Sequence, residues 1–219
     1  MNSRKTTAPM LVGLCGRSGS GKGYVSEKFL VRGIPSVDTD AVYRTLTAPS
    51  DTLSPCMTEL CERFGDTVRN EDNSLNRAVM RTLVFGGDAE ALDDLNRITH
   101  AHILRETKKT ARRLYKEGND IVLIDAPLLY ESGFDKFCAA VVAVTAPEEK
   151  IISRIMRRDG VTREQAEARL RTQKPVSELT DRADYVIVNG GVDNEMEKQL
   201  DECVRGLCDL YCNIKGKTK

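Results

Sequence analysis

Four short runs of the chain are apolar at consecutive positions, while the segments between them repeat apolar residues every three or four positions. The runs are Met10 to Cys15, Ile121 to Ile124, Ala139 to Val144 and Tyr185 to Val188. None alternates, so each predicts a strand buried on both faces. A weaker fifth run, Ile34 to Val37, sits between Gly33 and Asp38. Tyr24 to Val31, Leu75 to Phe85 and Ile151 to Met156 carry the helical period. Strand and helix take turns, which predicts an α/β fold: a parallel five-stranded sheet with right-handed crossovers, helices on both faces and ligands at the carboxyl ends of the strands.

The alternation is uneven. From Asp40 to Asp120, about eighty residues pass without a convincing strand, far more than one crossover needs. A helical insertion is expected there, with helices over Asp40 to Leu46, Leu53 to Phe64, Leu75 to Phe85 and Ala89 to Lys116, the last ended by Gly118. A second strandless stretch, Arg154 to Arg182, contains Thr162-Arg163-Glu164-Gln165, a capping box for a short helix. The tails, Met1 to Pro9 and Lys215 to Lys219, read as frayed.

Composition narrows the classes. With 40% apolar and 30% charged residues, and 33 basic side chains against 33 acidic ones, the chain is no disordered tail protein. No stretch approaches the roughly 18 apolar residues of a membrane span. Asn2, Ser3, Arg4 and Lys5 lead into no apolar signal core, so the expectation is a cytoplasmic protein without a membrane partner. The seven cysteines include no C-x-x-C pair and read as reduced thiols. A zinc site from Cys203, Cys208 and Cys212 would have to gather them from more than one face of a helix, so they read as small residues lining a terminal helix. His100 and His102 lie in a helical pattern, which favours packing or hydrogen bonding over metal.

Directly after the first predicted strand comes Gly16-Arg17-Ser18-Gly19-Ser20-Gly21-Lys22, then a helical pattern. This is G-x-x-x-x-G-K in the strand-to-helix setting of a phosphate-binding loop. Glycines allow several backbone N–H groups to point at a polyphosphate, Lys22 adds a point charge at the outer phosphates, and the helix starting near Gly21 adds its dipole. Most such loops place Ser or Thr after the lysine as a magnesium ligand, whereas here Gly23 and Tyr24 follow. The G-K-G spelling resembles that of adenylate kinases. Magnesium tolerates it because the ion keeps several waters, with Ser20 or Asp125 as compensating oxygens.

Asp38-Thr39-Asp40 ends the second predicted strand and Asp125-Ala126-Pro127 the third, so these carboxylates are expected at the carboxyl edge of the sheet. One reading makes Asp38 and Asp40 helix caps; the other makes one of them orient an attacking hydroxyl. Asp125, following an apolar run, has the form of a metal-supporting acid. From Lys150 to Arg182 the chain carries four more positive than negative charges. Arg163 and Arg169 read as helix-surface charges with Glu partners, while Arg154 and Arg158, four apart before Gly160, read as a lid over the phosphates. Zero net charge and 5% aromatics argue against a nucleic-acid partner.

Taken in order, these segments resemble the dephospho-CoA kinase family from Leu11 to Val192. The resemblance is carried by the loop, by Val37-Asp38-Thr39-Asp40 with Arg44, and by Phe64-Gly65, Leu75-Asn76-Arg77 and Phe85. Leu95-Asn96, Ile98-Thr99-His100, Asp125 to Glu131, Arg154 with Arg158, Gln173, Ala183-Asp184 and Asn189-Gly190 complete it. It implies ATP-dependent phosphorylation of the ribose 3′-hydroxyl of dephospho-CoA, with ATP and Mg2+ as cofactors. It also implies a nucleotide core (10–44, 119–153, 183–214), a helical acceptor insertion (45–118) and a lid (154–182). Asp40 would then be the base, Lys22 and Arg154 catalytic partners, and Asp125 with Ser20 the metal ligands. The loop from Gly16 to Tyr24, with Arg158 and Asn189, would bind ATP. Asp38, Arg44, Arg77, His100, Pro127, Leu128 and Glu131 would bind the acceptor. The chain departs from the usual family pattern at Cys15, Arg17, Gly23 and Ala101. A monomer or weak homo-oligomer is expected. Two other readings remain open at this stage: a nucleoside monophosphate kinase, and an ATP-binding module without turnover.

Overall fold

The first apolar run forms the centre of a sheet. In this computed structural model, which describes residues 8–87, 90–191 and 193–216, strand β1 (Met10–Cys15) is flanked by β3 (Ile121–Asp125) and β4 (Ala140–Thr145). Strands β2 (Ser36–Asp38) and β5 (Tyr185–Val188) are the edges of a five-stranded parallel sheet ordered β2-β3-β1-β4-β5. A central strand needs both faces covered, which is why the adjacent Leu14 and Cys15, pointing to opposite faces, are both buried and why the run does not alternate. Helices α1 (Lys22–Val31) and α9 (Asp193–Gly216) supply Val25, Phe29, Leu200 and Leu207 to the same core as Leu123 and Val142. Helices α6 (Glu148–Asp159) and α7 (Arg163–Arg171) pack Ile151, Ile155, Ala166 and Leu170 together, and a short helix α8 (Val176–Thr180) leads into β5.

The chain divides into two compact units, Met1–Val37 with Ala111–Lys219, and Asp38–Thr110. The second is helical. It comprises α2 (Thr39–Leu46), α3 (Pro55–Phe64), α4 (Arg77–Phe85) and most of α5 (Ala91–Lys116), built around Cys56, Met57, Leu60, Met80 and Ile98. Extended pairing between Asp40 and Asp120 is confined, among the described residues, to a bridge between Arg69 and Leu75.

Several boundaries move for local reasons. Helix α3 starts at Pro55, not Leu53, because Ser54 caps it: the Ser54 hydroxyl accepts from Met57 N at 3.1 Å and donates to the Leu46 carbonyl at 2.6 Å. Helix α4 starts at Arg77, not Leu75, since Asn76 Oδ1 accepts from Val79 N while Leu75 is held in the bridge. Helix α9 continues through Lys215, which was expected to fray; its ammonium lies 4.5 Å from the Tyr211 ring centroid and 3.6 Å from Asp120. Met1–Thr7, Ala89 and Lys217–Lys219 lie outside the described residues. Two 3₁₀ turns, Asp66–Val68 and Phe134–Phe137, and helix α8 carried no periodic signal and were not predicted.

Candidate active site

The register of the central strands fixes the site. Leu14 of β1 stands opposite Asp125 of β3, so the chain turning out of β1 at Gly16 emerges beside the carboxylate that ends the neighbouring strand. Lys22 opens α1 on the far side of the turn, with its ammonium 3.5 Å from Asp125 Oδ1 and both side chains 16% exposed. Two glycines make the turn possible. A Cβ on Gly16 would run into the Val144 carbonyl oxygen, and Gly21 caps α1 in the left-handed region (φ 90°, ψ 31°), against the carboxamide nitrogen of Asn189.

The loop is held from behind. Arg154 of α6 donates from Nη1 to the carbonyls of Gly19 (3.3 Å) and Ser20 (3.2 Å), and from Nη2 to Asn189 O (3.2 Å) and Oδ1 (3.1 Å). Asn189, itself buried, donates from Nδ2 to Ser20 O at 3.0 Å. Because the peptide is planar, drawing the Ser20 carbonyl backwards turns the Gly21 N–H to the other side. Arg154 thus divides its donors between two loop carbonyls and Asn189. At the loop's tip, Arg158 Nη2 donates to Ser18 Oγ (3.1 Å), Ser18 N donates to Gln173 Oε1 (3.0 Å), and the Arg17 guanidinium donates to the Leu170 carbonyl.

Ser20 Oγ is buried in the loop without a hydrogen-bond partner, and Asp125 ends β3 beside Lys22. One hydroxyl and one carboxylate suit a hard cation that retains most of its waters. Among the described residues no group of three or more His, Cys, Asp or Glu gathers as a metal site. A side chain at Gly23 would meet nothing within 4 Å, and Tyr24 is 41% exposed with the Lys28 ammonium 5.2 Å from its ring centroid. Behind the loop, burial pushes the Cys15 thiol up to about 11, against a hydrogen bond with Tyr130. Arg182 lies 3.7 Å from the Tyr130 ring centroid and pairs with Asp135. Pro127, Leu128 and Glu131 are exposed beyond β3.

The helical unit carries the other expected residues. Asp38 is the N-cap of α2, its Oδ1 accepting from Asp40 N (2.8 Å) and Ala41 N (3.1 Å), with Arg44 3.5 Å from Oδ2. Asp40 is exposed in the first turn. Arg77 is exposed, 5.4 Å from the Tyr43 ring centroid. His100, on α5, is half-buried, which holds its imidazole below the usual range. His102 is buried against Glu59, with 2.9 Å between Nε2 and Oε2. Arg163 has its Glu partners, Glu149 and Glu167, whereas the partner of Arg169 is Asp159.

The dephospho-CoA kinase family pattern matches residues 10–195. The chain belongs to the dephospho-CoA kinase family. It is 37% identical over 207 residues to the dephospho-CoA kinase of Syntrophotalea carbinolica, covering 94% of this chain and 95% of that one. The dephospho-CoA kinase of Anaeromyxobacter dehalogenans is 36% identical over 200 residues, covering 91% and 92%. Among solved structures, TT1252 from Thermus thermophilus superposes with a TM-score of 0.73 at 30% identity, covering 91% of this chain and 98% of that one. The dephospho-CoA kinase from Campylobacter jejuni shares the fold, with a TM-score of 0.62 at 22% identity, covering 90% and 96%.

The departures from the usual family spelling have simple surroundings. Arg17 reaches away to α7, Gly23 faces open space, and Ala101 lies inside the continuous helix α5, where proline would remove a backbone hydrogen bond. Sequence reasoning gave no role to Lys150, whose ammonium donates to the Gly190 carbonyl, or to the stack of Arg182 on Tyr130. A lone basic residue and an aromatic far apart in sequence offer no pattern that would have found them.

Proposed function

We propose that this chain transfers the γ-phosphate of ATP to the ribose 3′-hydroxyl of dephospho-CoA, giving coenzyme A, as a cytoplasmic monomer or weak homo-oligomer. The observation that carries the reading is the Gly16–Lys22 turn between β1 and α1, tied back through its carbonyls, with Lys22 beside Asp125. Family membership supports the choice of acceptor.

Phosphoryl transfer passes through a loose transition state, so the protein's work is positioning and charge stabilisation. Backbone N–H groups of the loop bind the phosphate chain, and Lys22 places its charge at the outer phosphates. Loss of one such preorganised donor lowers turnover by roughly 100- to 1000-fold. Arg154 acts mainly by fixing the loop's carbonyls, Arg158 lies at its tip, and Asn189 and its neighbours lie by the nucleobase. Asp125 and Ser20 would hold a magnesium ion, which would supply neutralisation of phosphate charge. Asp40 orients the acceptor hydroxyl and takes its proton. Asp38 and Arg44 set the start of α2 around it, and Arg77, His100, Pro127, Leu128 and Glu131 contact the acceptor. In this scheme 45–118 is the acceptor insertion and 154–182 the lid.

A coupled assay with ATP tests the reading: dephospho-CoA should be phosphorylated, and AMP, CMP and UMP should not. Transfer to a monophosphate alone would overturn it. Asp40→Asn should lose most turnover while ATP affinity stays within about twofold, because Asp40 serves the hydroxyl and not the phosphates. Equal turnover in the variant removes Asp40 from the base role.

A further inference from the structure

The tip of the phosphate loop is already engaged, by the chain itself. Ser18 N, a backbone donor of the kind that loops of this spelling offer to phosphate, donates to the Gln173 side-chain oxygen at 3.0 Å across 155 residues of sequence. Next to it the Arg17 guanidinium donates to the carbonyl of Leu170, in the last turn of α7, and Arg158 reaches Ser18 Oγ at 3.1 Å while holding Asp159. Asp159 in turn pairs with Arg169 of α7. Leu170 is anchored in the apolar contact of α6 and α7. The three bonds at Arg17 and Ser18 therefore pin the loop's tip to α6, the end of α7 and the residues just after it.

We propose that Gln173 is a positioning residue that stands in for a phosphate oxygen on the Ser18 amide, so that a bound polyphosphate must displace it. The proposal rests on the phosphate-loop reading above. Gln173 suits the part chemically: a neutral carboxamide oxygen is a weaker acceptor than an ionised phosphate oxygen, so the exchange favours the ligand while still costing it affinity. Arg17 is similarly under-committed. It meets a neutral carbonyl, and its Nε is buried without an acceptor, so the latch holds the guanidinium in a site that leaves it incompletely satisfied.

If an internal acceptor competes for the amide, removing it tightens nucleotide binding. Calorimetric titration with ADP should give a Kd lower by roughly two- to tenfold for Gln173→Ala than for the unaltered protein, the worth of one neutral hydrogen bond. Gln173→Asn, one methylene too short to reach Ser18 yet still polar, should shift Kd in the same direction, which keeps the test decisive if the alanine variant melts early. A residue that merely supported the loop would weaken binding when removed, so the sign separates the two roles. Equal or weaker ADP binding in folded variants overturns the latch and leaves the phosphate-loop reading standing. An unaltered protein that binds no ADP overturns both.

Discussion

A side chain at Gly23 would meet open space, and this sets what a hydroxyl there can and cannot do. Gly23→Ser should fold as well or better, by up to about 0.5 kcal/mol from helix propensity in the first turn of α1. It should also reach half-maximal turnover at lower magnesium, and an unchanged metal titration would show that Ser20 or water already fills the position. Gly21 is different: its left-handed conformation and the adjacent Asn189 carboxamide leave no place for a Cβ. Both positions were legible in the sequence, because the turn from β1 into α1 is local and its glycine spacing reflects backbone geometry. Arg17 was not, since it meets Leu170, 153 residues away, and no spacing rule reports such a contact. Asp38 had two readings, and the structure shows it capping α2.

At the level of elements, α6 and α7 are joined twice, by the apolar set around Ile155 and Leu170 and by ion pairs at their facing ends. The Arg158 and Arg169 guanidinium groups draw the Asp159 carboxyl down to about 2 from 3.8. A depressed carboxyl contributes its stability above the unfolded value and loses it as pH falls through the folded one. The stability difference between the unaltered protein and Asp159→Asn should accordingly be constant above about pH 5 and shrink from pH 4 towards pH 2. Denaturant unfolding at fixed pH checks this, and a difference that persists at pH 2 would remove Asp159 from the account. The strands of this core were readable because burial on both faces leaves uninterrupted apolar runs. Helix α8 and the two 3₁₀ turns were not, being too short to display a period. The starts of α3 and α4 were missed by two residues each because Ser54 and Asn76 set them through capping, which apolar spacing does not register.

Across the whole chain, the seven cysteines are free and unequally placed. Burial pushes Cys15 and Cys56 to about 11 and Cys203 to about 12, so at pH 8 their thiolates are scarce as well as sheltered. Brief alkylation of the folded protein should therefore modify the exposed Cys208 and Cys212 and spare those three, as read by peptide mass spectrometry. Early modification of Cys15 would mean that β1 opens on that timescale. No helix among the described residues is long and apolar enough to cross a membrane. The zero net charge of the chain has a local echo in the pairing of Lys22 with Asp125. With its counter-charge built in, the loop offers a stray sulfate or chloride only a partly neutralised cation. Occupancy by simple inorganic salts is discouraged, and the competition is left to ligands large enough to engage many backbone donors at once.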